Sequence, residues 1–226
     1  MSGHIHAQLS GIRVRRSCVA TIRVAVPIKF DVFYDYICPF VYRVAGMLED
    51  VRSSGARPID VRWRYFSLTQ VNSKDDGWTV WNAPASEKAR GRLAFAAAEA
   101  ARRQGSFDDL HMPLLDARHR DRLDLDDETV VERVAVDSGL DLERFRADLR
   151  DRNILDSLAR DHCGAVAEHG VFGTPTFVFA NGEAAYVRLG EPVQGDAAVQ
   201  VFDRLLSVAA AEPRILEIKR PRKPSA

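Results

Sequence analysis

The chain has 226 residues, 46% hydrophobic and 28% charged, enough apolar material for a packed core without metal or disulfide staples. Lysine plus arginine equals aspartate plus glutamate, 32 each, so no net field points toward nucleic acid or a membrane surface. Three cysteines (Cys18, Cys38 and Cys163) are no disulfide framework, and with the six histidines away from ligand spacing there is no zinc pattern. The expectation is free thiols in a reducing cytoplasm and no metal site.

Residues 1–27 read as an N-terminal extension. Arg13, Arg15 and Arg16 precede a mildly apolar stretch, residues 17–28, that Arg23 interrupts. It is too short and too charged to span a bilayer and lacks a clear signal-peptide cleavage site, so a loose extension or a leading edge strand is expected. Residues 28–34 are β-branched and aromatic and predict a strand. A helix follows at Cys38-Pro39, since proline suits a first helical position. Val41, Val44, Ala45, Leu48 and Val51 recur at helical spacing, and Ser53, Ser54 and Gly55 end the run. Residues 58–66 alternate apolar and polar as a second strand. The three elements make a β-α-β unit, which implies parallel strands.

The middle of the chain is helical. An alanine-rich run from Ser86 to Arg103 is closed by Gly105. Ser106 can cap the next helix, with Asp109 three residues on, and Pro113 should kink that helix or end it early. Asp126 caps a segment that Gly139 stops, and Asp141 starts another carrying Leu142, Phe145 and Leu149. A long helix from about Asp151 to His169 is closed by Gly170. Strand signal returns at residues 176–180. Asn181-Gly182 is a hairpin turn, Ala185 to Leu189 the return strand, and Asp196 to Ala210 a last helix. Residues 211–226 are a tail, basic and proline-rich at its end.

The order β-α-β, helices, β-β-α predicts an α/β domain over residues 28–210. It has a thioredoxin-like sheet of about four strands covered on both faces, with an all-helical insertion at about 84–160 folded over one end. Trp78 and Trp81 either line a cleft or a homodimer contact or tuck back as local core.

Cys38 is the sharpest chemical signal. A thiol directly after a strand and before a helix faces unpaired backbone N–H groups and the positive end of the helix dipole, which favour the nucleophilic thiolate. The plainer alternative is a buried, inert cysteine. The second signal is Gly173-Thr174-Pro175-Thr176 before a strand, where an X-Pro bond can be cis or trans. His111, His119, His162 and His169 are weaker candidates for a base; a surface or capping role suits each better. Cys163 lies seven residues before Gly170, roughly 9–10 Å along a helix axis. A disulfide spans about 7 Å between Cα atoms, so Cys163 is expected to pack in the core rather than resolve Cys38.

Together, residues 33–42 (Phe33-Tyr34-Asp35-Tyr36-Ile37-Cys38-Pro39-Phe40-Val41-Tyr42), the helical insertion, and residues 170–177 (Gly170-Val171-Phe172-Gly173-Thr174-Pro175-Thr176-Phe177) resemble the DsbA-like thioredoxin family. Kappa-class glutathione transferases and 2-hydroxychromene-2-carboxylate isomerases share the layout. The resemblance implies a cis Pro175 lying against Cys38, and a Thr174 backbone that pairs with the bound thiol substrate. One departure matters. Redox members carry Cys-Pro-x-Cys, and here Val41 replaces the second cysteine. The implied activity is a monothiol thiol–disulfide oxidoreductase with Cys38 as nucleophile. Pro39, Phe40 and Val41 would flank the thiol, and Thr174 and Pro175 would bind substrate. No cofactor is bound; glutathione or another low-molecular-weight thiol takes part in exchange with a small thiol or a disulfide-bearing peptide. A glutathione-dependent transferase or isomerase, and a non-catalytic binding module, are the alternatives.

Overall fold

The computed structural model describes residues 26–84, 87 and 89–220. The N-terminal extension up to residue 25, Cys18, Ser86 and the end of the tail lie outside the described residues. The sheet has four strands in the order β2-β1-β3-β4. β1 (Ile28–Tyr34) is central: it pairs in parallel with β2 (Ile59–Tyr65) and antiparallel with β3 (Thr176–Phe179), which pairs with β4 (Ala184–Tyr186). Side chains alternate across a strand, so β1 feeds two faces. Phe30, Val32 and Tyr34 enter the larger core, while Phe33 joins Phe66, Ala165, Val171 and Val178 on the other side. α1 (Pro39–Ser54) connects β1 to β2 and packs against α8 (Asp196–Leu205). There Phe30 meets Phe177 at 5.5 Å and Phe202 at 5.7 Å between ring centroids. α7 (Asp156–His169) runs beside β2 and supplies Ala165 to the second face.

The helical block comprises α3 (Arg92–Gln104), α4 (Phe107–His119), α5 (Glu128–Asp137) and α6 (Leu142–Leu149). α3 is its axis and touches the other three; Ala94, Ala97, Ala98 and Ala101, all buried, allow that close approach. α4 docks the block on α1. Among the described residues no helix is long and apolar enough to cross a membrane.

Several elements depart from their sequence signals. α3 begins at Arg92, because Gly91 adopts a left-handed conformation (φ 80°) and its N–H is held by the Asp126 carboxylate at 2.9 Å. Asp126 is therefore not the cap of α5; Asp127 is, accepting from Thr129 N–H at 2.9 Å. Ser106 stands at the start of α4, but its hydroxyl caps nothing. α4 runs through Pro113: Leu110, His111, Leu114 and Leu115 bury around it and outweigh one lost helical hydrogen bond. α7 starts at Asp156 rather than Asp151, whose carboxylate instead accepts from Asn153 N–H at 3.0 Å and Arg103 at 2.7 Å. β4 ends at Tyr186, since the Leu189 and Gly190 carbonyls go to Arg43 of α1. α8 passes into a π-helical turn, Leu206–Ala210. A short helix after β2, α2 (Leu68–Val71), has no apolar period and left no sequence signal.

The ends of β1 and β2 are tied by one carboxyl group. Asp35, wholly buried, accepts from Ile37 N–H at 3.0 Å with one oxygen and from Leu68 N–H at 2.7 Å with the other. Its own carbonyl accepts from Cys38 N–H at 3.1 Å. Burial pushes the carboxyl up from 3.8 to about 7; the two N–H donors and Arg90 pull it back only in part, and Asp126 pushes the same way as burial. The folded state thus holds a proton that the unfolded chain has released, so Asp35's contribution is most favourable below pH 3.8 and is lost as pH rises toward 7. Wild type should lose stability relative to Asp35→Asn over that range by at most about 1.4 kcal/mol per pH unit, with no further change above it. Denaturant midpoints of the two proteins across this interval check it; a pH-independent difference means the carboxylate is ionised throughout.

Candidate active site around Cys38

Cys38 is the last extended residue before α1 (φ −87°, ψ 116°), with Pro39 beginning the helix. Its carbonyl accepts from Val41 N–H at 3.1 Å, which starts the helical ladder. The sulfur does not cap the helix. It turns across the sheet end and donates to the Thr174 carbonyl at 3.3 Å, in a position only 4% exposed. The Thr174–Pro175 peptide bond is cis. The proline loop is closed by Thr176 Oγ1 donating to the Gly173 carbonyl at 2.8 Å, and on its far side Val187 N–H donates to the Pro175 carbonyl at 3.0 Å. Pairing of Phe33 with Thr176 across β1 and β3 is what brings the two loops together.

Thr174 has unspent polar groups. It is 2% exposed, yet its Oγ1 has no hydrogen-bond partner, and its N–H makes no hydrogen bond among the described residues. Buried polar groups are normally satisfied, so these are places a ligand's backbone can complete.

The remaining sequence candidates divide. Pro39 is exposed at the helix start and Phe40 is half-buried beside it. Val41 stands one helical turn from the thiol but is completely buried in the larger core, so its side chain presents no surface to a bound molecule. Cys163 also departs from expectation. It lies exposed on α7 rather than in the core, because α7 buries Leu158, His162 and Ala165 instead. Trp78 and Trp81 are half-buried and pack against the larger core, Trp81 with its ring 5.4 Å from His162.

None of the four histidines bonds the sulfur. His111 lies in an aromatic box with its ring 4.3 Å from Trp63 and 4.9 Å from Phe107, and its Nδ1 is 3.1 Å from the Tyr36 hydroxyl. Burial holds it at about 3, neutral at ordinary pH. His162, lowered to about 4 by burial, accepts from Ser67 N–H at 3.2 Å. His119 reaches the Tyr36 carbonyl at 2.8 Å and stacks on Tyr42. His169 sits at the end of α7 near Phe33. Two of them therefore brace the turn that carries Cys38 without touching its sulfur.

Sequence reasoning passed over four residues of this site. Asp35 had a readable signal, a lone carboxylate among aromatics three residues before the cysteine. Phe172, 67% exposed and paired with Tyr186 at 5.0 Å, lies next to Gly173, where an added Cβ would press on the Tyr186 ring at 3.3 Å. Arg188 places its guanidinium 3.9 Å from the Phe40 ring centroid. These last three are local to a strand and loop whose pairing partner the sequence does not name.

The geometry agrees with comparisons to known proteins. Among curated relatives, Rv2286c of Mycobacterium tuberculosis is 27% identical over 86% of this chain and 83% of its own length. A Na(+)/H(+) antiporter NhaA 1 of Mycolicibacterium vanbaalenii is 30% identical over 71% of this chain but only 22% of that protein, so the likeness concerns one part of a longer polypeptide. Among solved structures, a probable DsbA oxidoreductase, SCO1869 of Streptomyces coelicolor, superposes with a TM-score of 0.55 at 23% identity, covering 87% of this chain and 93% of that one. DsbA of Pseudomonas aeruginosa gives 0.52 at 19% identity, with 83% and 86% covered. The profile of the DSBA-like thioredoxin domain matches residues 29–206, and the chain belongs to that family.

Proposed function

We propose that this protein is a monothiol thiol–disulfide oxidoreductase of a reducing compartment, with Cys38 as its nucleophile. One observation carries the reading: the Cys38 thiol meets the Thr174 carbonyl beside a cis proline, while the position one helical turn on holds a buried valine. Family membership supports the reaction class.

The chemistry runs in two exchanges. Cys38 first gives up its proton. The sulfur then no longer donates to the Thr174 carbonyl, which becomes free to accept a substrate N–H, while the Thr174 N–H is available to donate to a substrate carbonyl. The thiolate attacks a disulfide R–S–S–R, forming Cys38–S–S–R and releasing one R–S⁻, which takes up a proton. With Val41 in place of a second thiol, an external thiolate R′–S⁻ attacks the substrate sulfur of the mixed disulfide. R–S–S–R′ leaves, and the electron pair returns to Cys38.

Incubation with a labelled peptide disulfide should trap an adduct on Cys38 that persists until a small thiol is added. The assay uses a Cys18→Ser, Cys163→Ser background, because Cys163 is exposed and would label on its own account. No adduct should form when Cys38 is also replaced by serine. Rapid release without added thiol would mean that some other group resolves Cys38, and the monothiol reading would be wrong.

Val41→Cys places a second sulfur one turn along α1, where Val41 N–H already bonds the Cys38 carbonyl. The variant should close an internal disulfide and gain turnover in insulin reduction, at a stability cost of about 1 kcal/mol for the lost packing. Unchanged turnover despite an internal disulfide would place the limit in substrate binding rather than in resolution.

A further inference from the structure

The first turn of α1 presents a second chemical feature beside Cys38. Two guanidinium groups converge on Phe40: Arg188 at 3.9 Å and Arg43 at 5.4 Å from the ring centroid. Arg43 is anchored by donating to the Leu189 and Gly190 carbonyls at 2.8 Å and 2.7 Å. Arg188, exposed, makes no hydrogen bond among the described residues beyond this stacking. Neither has a carboxylate within ion-pair distance among those residues. Some arginines of the fold are matched, Arg64 with Asp161, Arg103 with Asp148 and Arg146 with Glu132, and others also lack a carboxylate; what sets Arg188 and Arg43 apart is that both guanidinium groups meet one aromatic ring. Two cations on one aromatic ring repel each other unless an anion joins them.

Their position decides what that anion belongs to. Val187, the residue before Arg188, bonds the Pro175 carbonyl, and Phe40 is two residues from Cys38. The cations therefore stand at the first turn of α1, beside the end of the sheet where Cys38 meets Thr174. The N-terminus of the 16-residue helix α1 adds to the field there, since the Phe40 N–H has no partner among the described residues.

We infer that Arg188, backed by Arg43 and Phe40, selects the resolving thiol: a low-molecular-weight thiol that carries a carboxylate or similar anionic group. This rests on the thiol-exchange reading. In the step it concerns, the anionic thiol sheds its proton and its sulfur attacks the substrate sulfur of Cys38–S–S–R. The bond to Cys38 breaks, and Cys38 keeps the electron pair and takes up a proton. Arg188 is a specificity residue here: it touches the thiol's anionic end, not the reacting sulfurs.

The test uses the purified mixed disulfide of Cys38 with an uncharged dye-labelled thiol. Its release is timed with 2-mercaptoethanol, 2-mercaptoethanesulfonate and cysteamine: one neutral, one anionic and one cationic. The quantity read for each thiol is the ratio of Arg188→Gln to wild-type rate, which cancels intrinsic nucleophilicity. At low ionic strength the anionic thiol should slow about three- to fivefold, as a partly exposed charge pair is worth about 1 kcal/mol. The neutral thiol should be unchanged and the cationic one faster. Arg188→Lys should keep most of the anionic rate, and added salt should erase the difference. An equal ratio for all three thiols overturns the inference and leaves the thiol-exchange reading standing. Failure of wild type to form the mixed disulfide overturns both.

Discussion

Everything at the Cys38 site depends on one antiparallel pairing, β1 against β3 from Phe30–Phe179 to Phe33–Thr176. A slip of one residue would send Phe30, Val32 and Tyr34 to the face that Phe33 occupies, so burial on both sides locks the register. With the register locked, residues 136 apart in sequence meet as a thiol and a carbonyl 3.3 Å apart. The insertion of a whole helical block between them is tolerated because loop-closure entropy grows only slowly, by about 0.6 kcal/mol per doubling of length.

That block then does more than fill the connection. Tyr36, two residues before Cys38, is gripped by α4 at both ends: its hydroxyl by His111 and its carbonyl by His119. Asp35, one residue earlier, is bound to the start of α2. The turn carrying the thiol is thereby fixed from two directions by buried groups. Arg102 extends the network, donating to the Tyr65 hydroxyl at 2.8 Å and the Trp63 carbonyl at 2.6 Å while stacking 3.8 Å from the Phe107 ring centroid. A half-buried cation among aromatic faces and oxygens is compensated, and a neutral His111 beside it avoids a second charge.

Much of this was legible in the sequence for a physical reason. β1, α1 and β2 have strong periodicity and unambiguous punctuation, Pro39 at one end of α1 and Gly55 in the left-handed region at the other. Cys38 and the Gly173-Thr174-Pro175 loop were found because each stands at an element boundary. What escaped was set by partners distant in sequence. Gly91 begins α3 where it does because the distant Asp126 takes its N–H, and α4 survives Pro113 because of what packs around it. Val41 stands one turn from the thiol as the Cys-Pro-x-Cys resemblance implies, and its place in the apolar stripe of α1 is why it is buried rather than open to a bound molecule. Arg188 carries no local signal at all, since only the pairing of β4 with β3 sets it over Phe40.

The first turn of α1 separates two environments, and the chemistry follows from that separation. On the inner side Val41 is wholly buried, so nothing in the chain at that position can attack a sulfur bound to Cys38. On the outer side Phe40 supports two cations that the described residues leave without an anion. In a dithiol site the resolving group is built into the helix at an effective concentration no solute reaches. On the monothiol reading that group would come from solution, and a diffusing thiol pays in lost translational freedom for each encounter. Positive charge beside Phe40 would lower that penalty for thiols of one charge and raise it for the other. On the proposed reading, Val41 in place of a second cysteine and the positive charge beside Phe40 are two halves of one arrangement: the first would make the site depend on an outside thiol, and the second would give it a means of choosing which.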